Sequence, residues 1–322
     1  MPPLSSPTVS VIVAFHNDAS HVEAAITSLA ALDYAPAEFL LVDDGSTDAT
    51  ASLLEQLSAQ HPAMRVLRTR ENAGVASARN RAMAEAVGEY LWFVDPDDRW
   101  DAGILRALVA GLDSGADIVV TGAEVADASG TVLRTIDEVT ATEHLDGAAA
   151  LETLLRGELS GYLWNKIFRR SLTATFPLQR SLSDLPFVAA AIASARAVRR
   201  IPGVHYTYVQ REGSITRAPG GVDLDDLARA ARAVIDIARS APPALLVLFR
   251  YWFAIVPIHT QWALRGQVAR RTVAGLDVRV RAAEIRGILA LDRRTALKAL
   301  WICCAGPAFA PMYRSLTRRR RS

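Results

Sequence analysis

Apolar runs alternate with helically spaced apolar positions through the first hundred residues of the chain. Short β-rich apolar runs predict strands, and recurrence every three or four residues predicts helices. The predicted strands are 9–15, 38–44, 64–69 and 90–94, and the predicted helices are 19–32, 49–57 and 77–87. Strands this continuously apolar, alternating with helices, indicate an α/β fold with a mostly parallel sheet covered by helices on both faces.

The pattern becomes looser beyond Trp100. It predicts a helix at 102–112, a strand at 117–125, a hairpin turn at 127–130 into a strand at 131–136, and a helix at 147–156. Segments 162–168 and 205–209 read as short strands or ordered loops. From about 223 the chain reads helical, and the turn signal RAPGG at 217–221 separates it from the first part. We therefore predict two domains, 1–218 and 219–322.

The charge of the chain is unevenly distributed. The 322 residues are 51% hydrophobic and 22% charged, which is typical of a globular protein. The net charge of +2 conceals a balance of −10 over residues 1–215 and +12 over residues 216–322. A basic region of this kind favours an anionic membrane surface or nucleic acid, and since no nucleic-acid recognition motif is present, we expect no nucleic acid.

Cysteine usage and the N-terminus indicate a cytoplasmic protein. Cys303 and Cys304 are adjacent, which predicts no disulfide framework and a reducing compartment. The first residues lack the basic and apolar regions of a signal peptide. Two segments, 244–264 and 296–313, come near the composition of a membrane span but contain charged or polar breaks. We predict that neither spans a membrane.

Two structures are consistent with the C-terminal sequence. Arg-rich helices with apolar stretches suit an amphipathic region on the inner face of the plasma membrane, with the RRRR tail at 318–321 facing anionic headgroups. The alternative is a helical bundle packed on the first domain, followed by a disordered basic tail.

Polar side chains follow every predicted strand of the first half, where a parallel sheet binds ligands. The carboxylates are concentrated after the second and fourth strands. These residues are His16, Asn17, Asp43, Asp44, Asn72, Gly74, Asp95, Asp97 and Asp98. Because the carboxyl ends of parallel strands meet at one edge, we expect these side chains to form one site.

The sequence DPDD places three carboxylates directly after a buried strand. Like charges so close together repel, so a cation is expected among them. Asp95 and Asp97 suit Mg²⁺ or Mn²⁺, which accept few protein oxygens and take the rest from phosphate and water. The alternative is a solvated acidic turn, in which Asp95 or Asp98 caps a helix beginning near Asp101.

Four segments together resemble one enzyme family. VSVIVAFHN, LLVDDGSTDAT, ENAGVASARNRAM and YLWFVDPDD, in this order, resemble the family 2 glycosyltransferases of bacterial polysaccharide assembly, which have the GT-A fold. The resemblance continues through YLWNKIFRRS, SDLPFV and YVQREGSIT, so it covers about 8–216. It implies a nucleotide-diphospho-sugar donor, most often a UDP-sugar carrying a hexosyl or N-acetylhexosaminyl group, a divalent metal, a sugar or lipid-linked sugar acceptor, and inversion.

The same resemblance implies roles for individual residues. Asp44 would bind the nucleobase, Arg79 the phosphates or base, and Asp97, with Asp95, the metal. Asp184 would be the general base, although the family's usual Glu-Asp is Ser183-Asp184 here. The other residues assigned to the nucleotide-sugar site are Ala14, His16, Asn17, Asp43, Asn72, Gly74, Asp95 and Arg211.

Each role has a structural alternative. Asp184 could cap a helix at 186–195, Arg79 could be a solvated helix residue, and Asn72 and Gly74 could be turn formers. Trp164, with Asn165 and Lys166, could shape an acceptor pocket, or Trp164 could belong to the core. A catalytically inactive nucleotide-binding or scaffold protein of the same fold is the alternative function.

Overall fold

A computed structural model describes residues 8–112, 115–172, 174–210, 222–267, 270–305, 309 and 311–313. The chain forms two compact units. The first comprises Met1–Ala150 with Leu159–Glu212, and the second comprises Leu151–Glu158 with Gly213–Ser322. The predicted domain boundary at 218 lies outside the described residues, and the assignment of 151–158 to the second unit was not foreseen from the sequence.

Four parallel strands form one half of the sheet in the first unit. Their order is β3-β2-β1-β4. The elements are β1 (Val9–Phe15), α1 (Ala19–Ala30), β2 (Ala37–Asp43), α2 (Thr50–Ser58), β3 (Met64–Arg68), α3 (Val75–Glu85) and β4 (Tyr90–Val94). β4 is buried along its whole length, as its uninterrupted apolar sequence predicts. The predicted parallel arrangement is confirmed for these strands.

Antiparallel strands complete the sheet. Its order continues β4-β9-β6-β10-β5, with β9 antiparallel to both neighbours and β6 parallel to β10. The elements are β5 (Arg99–Trp100), α4 (Ile104–Ala110), β6 (Ile118–Asp127), β7 (Val132–Ile136), β8 (Glu143–Leu145), α5 (Gly147–Arg156), β9 (Lys166–Arg169), a 3₁₀ turn (Arg170–Leu172), α6 (Asp184–Ser194) and β10 (Val198–Gln210). The predicted hairpin is confirmed, because β7 pairs antiparallel with β6. Segment 205–209, predicted as a short strand or loop, belongs to the much longer β10.

Trp164 belongs to the core of the first unit. It is 2% exposed and stacks on Tyr206 with 4.7 Å between ring centroids. Its carbonyl oxygen accepts a 2.8 Å hydrogen bond from the indole of Trp92. Asn165 and Lys166 are completely buried. The core alternative for Trp164 is therefore confirmed, and its two neighbours do not reach a solvent-facing pocket.

The second unit is mainly helical in the described residues. Its elements are α7 (Leu224–Ile237), α8 (Pro243–Phe249), a π-helical turn (Arg250–Ile255), α9 (Val256–Arg265), β11 (Thr272–Val273), β12 (Leu276–Asp277), α10 (Ala282–Leu289) and α11 (Arg293–Ala305). Asp223 caps α7 by accepting hydrogen bonds from two backbone amides of its first turn. The small β11–β12 hairpin was not predicted. The RRRR tail lies outside the described residues.

One described helix, Pro243–Arg265, is long and apolar enough to cross a membrane, judged by length and composition alone. It includes α8, the π-helical turn and α9. Of its most apolar window, 39% is buried inside the protein. Core helices of globular proteins meet the same two criteria. The contacts that this helix makes within the protein are therefore needed to distinguish a membrane span from a core helix.

Candidate functional site

The end of β1 is hydrogen-bonded to the neighbouring strand ends. His16 Nδ1 lies 2.8 Å from the Asp44 carbonyl oxygen, and its Nε2 lies 2.9 Å from the side-chain amide of Asn72. Since the carbonyl can only accept, Nδ1 donates and Nε2 accepts. Asn17, at a positive φ of 54°, accepts a 2.8 Å bond from the Thr47 amide. Four predicted residues from three distant segments therefore meet at one sheet edge.

Asp44 organises the loop before α3. Its carboxylate is 2% exposed and accepts hydrogen bonds from Gly74 N at 2.7 Å, Ala73 N at 3.1 Å and Thr69 Oγ1 at 3.0 Å. Gly74, at φ 89°, immediately precedes the helix. A nucleobase contact at Asp44 would have to share these occupied oxygens. The local function visible in the structure is to fix where α3 begins.

Asp43 and Ala14 are supporting residues of the same edge. Asp43 is 1% exposed, accepts a 3.1 Å bond from Ser46 N and lies 3.6 Å from the Arg68 guanidinium. Ala14 lies in β1 opposite Val42 and is half-buried. These contacts keep the strand ends in register beneath the more exposed His16 and Asn17.

Arg79 joins two carboxylates from different elements. It projects from α3, is 4% exposed, and donates from Nη1 to Asp184 Oδ1 and from Nη2 to Asp95 Oδ1, each at 2.8 Å. Its guanidinium also lies 5.6 Å from the ring centroid of Phe176. The alternative of a solvated Arg79 is wrong, because burial and two charge-assisted bonds hold the side chain inside.

Asp184 is the first residue of α6, which begins two residues before the predicted helix. Its carboxylate is 28% exposed and also accepts a 3.3 Å bond from Ser183 Oγ. Burial raises the pKa of Asp184 above its ordinary value, Arg79 opposes that rise, and the charge of Asp95 adds to it. The result is a partly accessible carboxylate with increased basicity.

Asp95 has the same electrostatic character. Its side chain is 31% exposed. Burial raises its pKa, Arg79 lowers it, and the nearby charge of Asp97 raises it again, leaving the pKa above its ordinary value. One buried arginine therefore faces more negative charge than it neutralises.

Asp98 anchors the DPDD turn to β10. It is 8% exposed and accepts hydrogen bonds from Tyr206 Oη at 2.8 Å and Val209 N at 2.9 Å. Burial, with the charges of Asp95 and Asp97, raises the pKa of Asp98 well above its ordinary value. The helix-capping alternative is wrong for this residue, because α4 begins only at Ile104 and the bonds of Asp98 go to a strand.

Tyr206 is the residue of this site that sequence reasoning missed. Its hydroxyl also accepts a 3.3 Å hydrogen bond from Asp95 N, so it contacts the turn at both ends. The sequence HYTYV contains a signal for this residue. Side chains alternate between the two faces of a strand, so Tyr206 and Tyr208 lie on the same face. Both rings stack on Trp164. Arg211, predicted near the diphosphate or acceptor, lies outside the described residues.

The carboxylates fit a divalent cation only together with ligands from a substrate. Among the described residues, no group of three or more His, Cys, Asp or Glu side chains is arranged to hold a metal ion. The carboxylate of Asp98 accepts hydrogen bonds from Tyr206 and Val209 of β10, so the candidate metal ligands are Asp95 and Asp97. Two carboxylates completed by phosphate oxygens and water match the coordination habit of Mg²⁺ or Mn²⁺.

The carboxyl ends of the parallel strands, where these side chains lie, are the edge at which open α/β sheets bind ligands. Residues 10–174 match the model of a known family, Glycosyl transferase family 2. The match covers just over half of the chain, and the chain belongs to this family.

Curated relatives of the chain include transferases and a polysaccharide-synthesis protein. The chain is 30% identical over 221 residues to succinoglycan biosynthesis protein ExoO of Rhizobium meliloti, covering 66% of this chain and 63% of that protein. It is 27% identical over 190 residues to the putative glycosyltransferase EpsH of Bacillus subtilis, covering 56% and 54%. The chain thus spans between about half and two thirds of these relatives.

Solved structures share the fold. TarS 1–349 of S. aureus, in complex with UDP-GlcNAc, has a TM-score of 0.67 and 20% identity, covering 98% of this chain and 91% of that chain. The mannosyltransferase PcManGT of Pyrobaculum calidifontis, in complex with GDP-Man and Mn²⁺, has a TM-score of 0.56 and 21% identity, covering 98% and 84%. The predicted GT-A fold is confirmed.

Proposed function

We propose that the protein transfers a sugar from a nucleotide-diphospho-sugar to an acceptor hydroxyl in one inverting displacement. The observation that carries the proposal is the pair of 2.8 Å bonds from Arg79 to Asp95 and Asp184. They hold on one guanidinium Asp95, a carboxylate suited to a metal ion that would bind the donor phosphates, and Asp184, a carboxylate suited to the acceptor hydroxyl. The donor site and the acceptor site would then lie at a fixed distance from each other.

Asp184 is the general base in this proposal. An acceptor hydroxyl is a weak nucleophile and needs a carboxylate within hydrogen-bond reach to take its proton. The raised pKa of Asp184 makes it a stronger base, and its 28% exposure leaves it accessible to an acceptor. Arg79 is a positioning residue in this proposal, because its Nη1 and Nη2 both donate hydrogen bonds within the chain, to Asp184 and Asp95.

In this proposal, the donor site comprises Asp95, Asp97 and the residues at the carboxyl ends of the parallel strands. Asp95 and Asp97 would hold Mg²⁺ or Mn²⁺, which, when bound, neutralises charge on the departing diphosphate. Around them, the residues proposed to form the nucleotide-sugar site are Ala14, His16, Asn17, Asp43, Asp44, Asn72, Gly74 and Arg211. Asp44 acts there mainly by fixing the loop that ends at Gly74.

We further propose a UDP-sugar donor and a sugar or lipid-linked sugar acceptor in cell-surface polysaccharide or glycolipid synthesis, at a cytoplasmic site. The support comes from similar proteins: TarS is in complex with UDP-GlcNAc, and ExoO is described as a succinoglycan biosynthesis protein. The complex of PcManGT with GDP-Man makes GDP-sugars the next class to test.

A thermal-shift experiment tests the donor and the metal together. UDP, GDP, CDP and dTDP are each added with and without Mn²⁺ to the wild type, Asp97→Asn and a control, Asp101→Asn. Asp101 follows the same turn, but its carboxylate is 63% exposed and paired with His205. We expect one nucleotide to stabilise the wild type and the control only with metal, by about 2.7 kcal/mol at a hundredfold excess over Kd.

Asp97→Asn should lose this metal-dependent part. If a nucleotide raises the melting temperature equally with and without metal, nucleotide binding does not require a cation, and the proposed metal site is wrong. If no nucleotide shifts the wild type under any condition, the catalytically inactive scaffold becomes the better explanation of the fold.

A further inference from the structure

The outer face of α11 is apolar. Leu297 is 62% exposed and Leu300 is 45% exposed. With Cys304, also exposed, they occupy positions i, i+3 and i+7, which form one stripe along a helix. The buried residues of this helix, Thr295, Ala296, Ala299 and Ile302, lie on its other side. The helix thus has apolar side chains both inside the unit and towards solvent.

Two more exposed leucines lie at the end of α10 and in the turn before α11. Leu289 is 47% exposed and Leu291 is 36% exposed. Single exposed leucines are ordinary on protein surfaces, but four within residues 289–300, on and between two helices that pack against each other, favour a contact surface.

Basic side chains lie among these leucines. Four of them are exposed in α10 and α11: Arg286, Arg293, Arg294 and Lys298. The acidic residues of this stretch are Glu284, which bonds Arg250 and Tyr251, and Asp292, which accepts from Thr295 Oγ1 and Arg294 N. The carboxylates are thus engaged within the unit, and the outer surface is predominantly cationic.

The long helix Pro243–Arg265 is occupied within the second unit. Arg250 donates to Glu284 at 2.6 Å, Trp252 Nε1 donates to Leu155 O at 2.8 Å, and His259 Nε2 lies 2.9 Å from Val278 O. Phe249 and Tyr251 are fully buried. Moving this helix into a bilayer would break these contacts and leave polar groups without partners, so membrane contact would fall to another surface.

We infer that the α10–α11 surface, defined as Leu289, Leu291, Arg293, Arg294, Leu297, Lys298 and Leu300, docks on an anionic lipid bilayer. Leucines among arginines and lysines are the composition of a helix lying in a membrane interface. The leucines enter the headgroup boundary, and the cations face lipid phosphates. The mixture favours a bilayer over a protein groove, where charged side chains at the contact centre are disfavoured.

Vesicle flotation of the full-length protein tests this inference. Phosphatidylcholine vesicles are compared with vesicles that also contain phosphatidylglycerol, at low and high salt. The test variants are Leu297→Ser/Leu300→Ser and Arg293→Gln/Arg294→Gln. The controls are Leu178→Ser and Arg106→Gln in the first unit, where these side chains are 77% and 66% exposed.

We expect the wild type and both controls to float only with anionic vesicles and to be released by salt. The arginine variant should bind about twenty-fivefold more weakly, since each of the two basic residues at the surface contributes about fivefold. The leucine variant should lose roughly tenfold or more, because two apolar side chains no longer enter the interface. Melting temperatures should stay unchanged, as all four side chains are exposed.

Three outcomes would overturn the inference. One is equal binding of the leucine variant and the wild type. Another is loss of binding only when residues 314–322 are removed, which would assign the contact to the basic tail. The third is a change in oligomeric state of the leucine variant on gel filtration, which would make the surface a protein interface. Because flotation requires no catalysis, its failure leaves the transferase proposal unaffected.

Discussion

Two charged clusters in the first unit differ in how completely their hydrogen bonds are satisfied. The closed cluster consists of Asp137, Ser160, Asn165 and Lys166. Lys166 Nζ donates to Asp137 Oδ2 at 3.0 Å, Asn165 Oδ1 at 2.8 Å and Ser160 Oγ at 3.1 Å, so each of its three protons has an acceptor. The side chains of Lys166 and Asp137 are 0% and 2% exposed.

The open cluster consists of Arg79, Asp95 and Asp184. Its cation is nearly as buried as Lys166, with 5% of the side chain exposed, but Asp95 and Asp184 are 31% and 28% exposed. Two carboxylates share one guanidinium, and the charge of Asp97 lies close to Asp95, so this region has an excess of negative charge. The closed cluster is neutral.

The pKa shifts of the two clusters have opposite signs. Burial alone would raise the pKa of Asp137, but Lys166 and the hydrogen bonds from Ser160 and Asn165 bring it below its ordinary value. Burial raises the pKa of Asp95 and Asp184, and Arg79 only partly reverses the rise. Complete pairing therefore marks a structural role, while incomplete pairing leaves a carboxylate ready for a proton, a cation or a substrate.

The largest expected effect is on the open cluster. Asp184→Asn keeps the shape of the side chain but cannot accept the proton of an acceptor hydroxyl. We expect kcat to fall about 10²–10⁴-fold, the usual contribution of general base catalysis. The measurement is nucleotide release from a donor that the thermal-shift experiment has identified.

Nucleotide binding by Asp184→Asn should remain, because the residue acts on the acceptor side. Ser183→Ala is the matched control, since it removes the neighbouring hydroxyl that bonds Asp184 and leaves the base in place. Unchanged turnover in Asp184→Asn would assign the base to another residue.

The matching change in the closed cluster should act on stability. Lys166→Met leaves the buried Asp137 without its cation, which should reduce the free energy of unfolding by about 3–5 kcal/mol. Urea unfolding measures this change. The second substitution in Lys166→Met/Asp137→Asn removes the uncompensated charge and should recover part of the loss.

If Lys166→Met kept its stability and instead lost turnover, the closed cluster would belong to the site. Complete pairing would then no longer distinguish a structural cluster from a functional one in this unit.

Strand prediction succeeded where the signal is local. The structure gives β1 and β4 the predicted bounds, 9–15 and 90–94, because a nearly continuous apolar run, broken only by Ser10 in β1, is itself the cause of a strand buried on both faces. The position of the polar residues at one sheet edge followed from the parallel order. Neither inference required knowledge of distant contacts.

Side-chain partners could not be predicted in this way. Arg79 and Asp184 are 105 residues apart, and Asp98 and Tyr206 are 108 apart. No period in the sequence relates such residues. Lys166 illustrates the same limit, since a charged residue in a motif suggested a pocket while the structure gives it a buried carboxylate. Burial and pairing of charges depend on tertiary packing.

The smallest expected effect sharpens the role of Arg79. Arg79→Gln removes the charge that lowers the pKa of Asp184, so that pKa rises further above its ordinary value. Because the base must be deprotonated, the acid limb of the pH–rate profile should move to higher pH. At neutral pH the loss should be roughly tenfold to a hundredfold, the usual contribution of a hydrogen bond between charged groups. The measurement is kcat against pH.

Arg81→Gln is the control for this prediction, as Arg81 lies on the same helix but is solvent-exposed and pairs with Glu85. Arg79→Lys restores the charge without the two-pronged geometry, so it should return the acid limb towards that of the wild type while leaving kcat reduced. A loss of rate in Arg79→Gln with an unshifted acid limb would mean that Arg79 contributes only geometry. A normal rate in Arg79→Gln would mean that catalysis does not require Arg79 to hold Asp95 and Asp184 at a fixed spacing. That result would contradict the proposed mechanism.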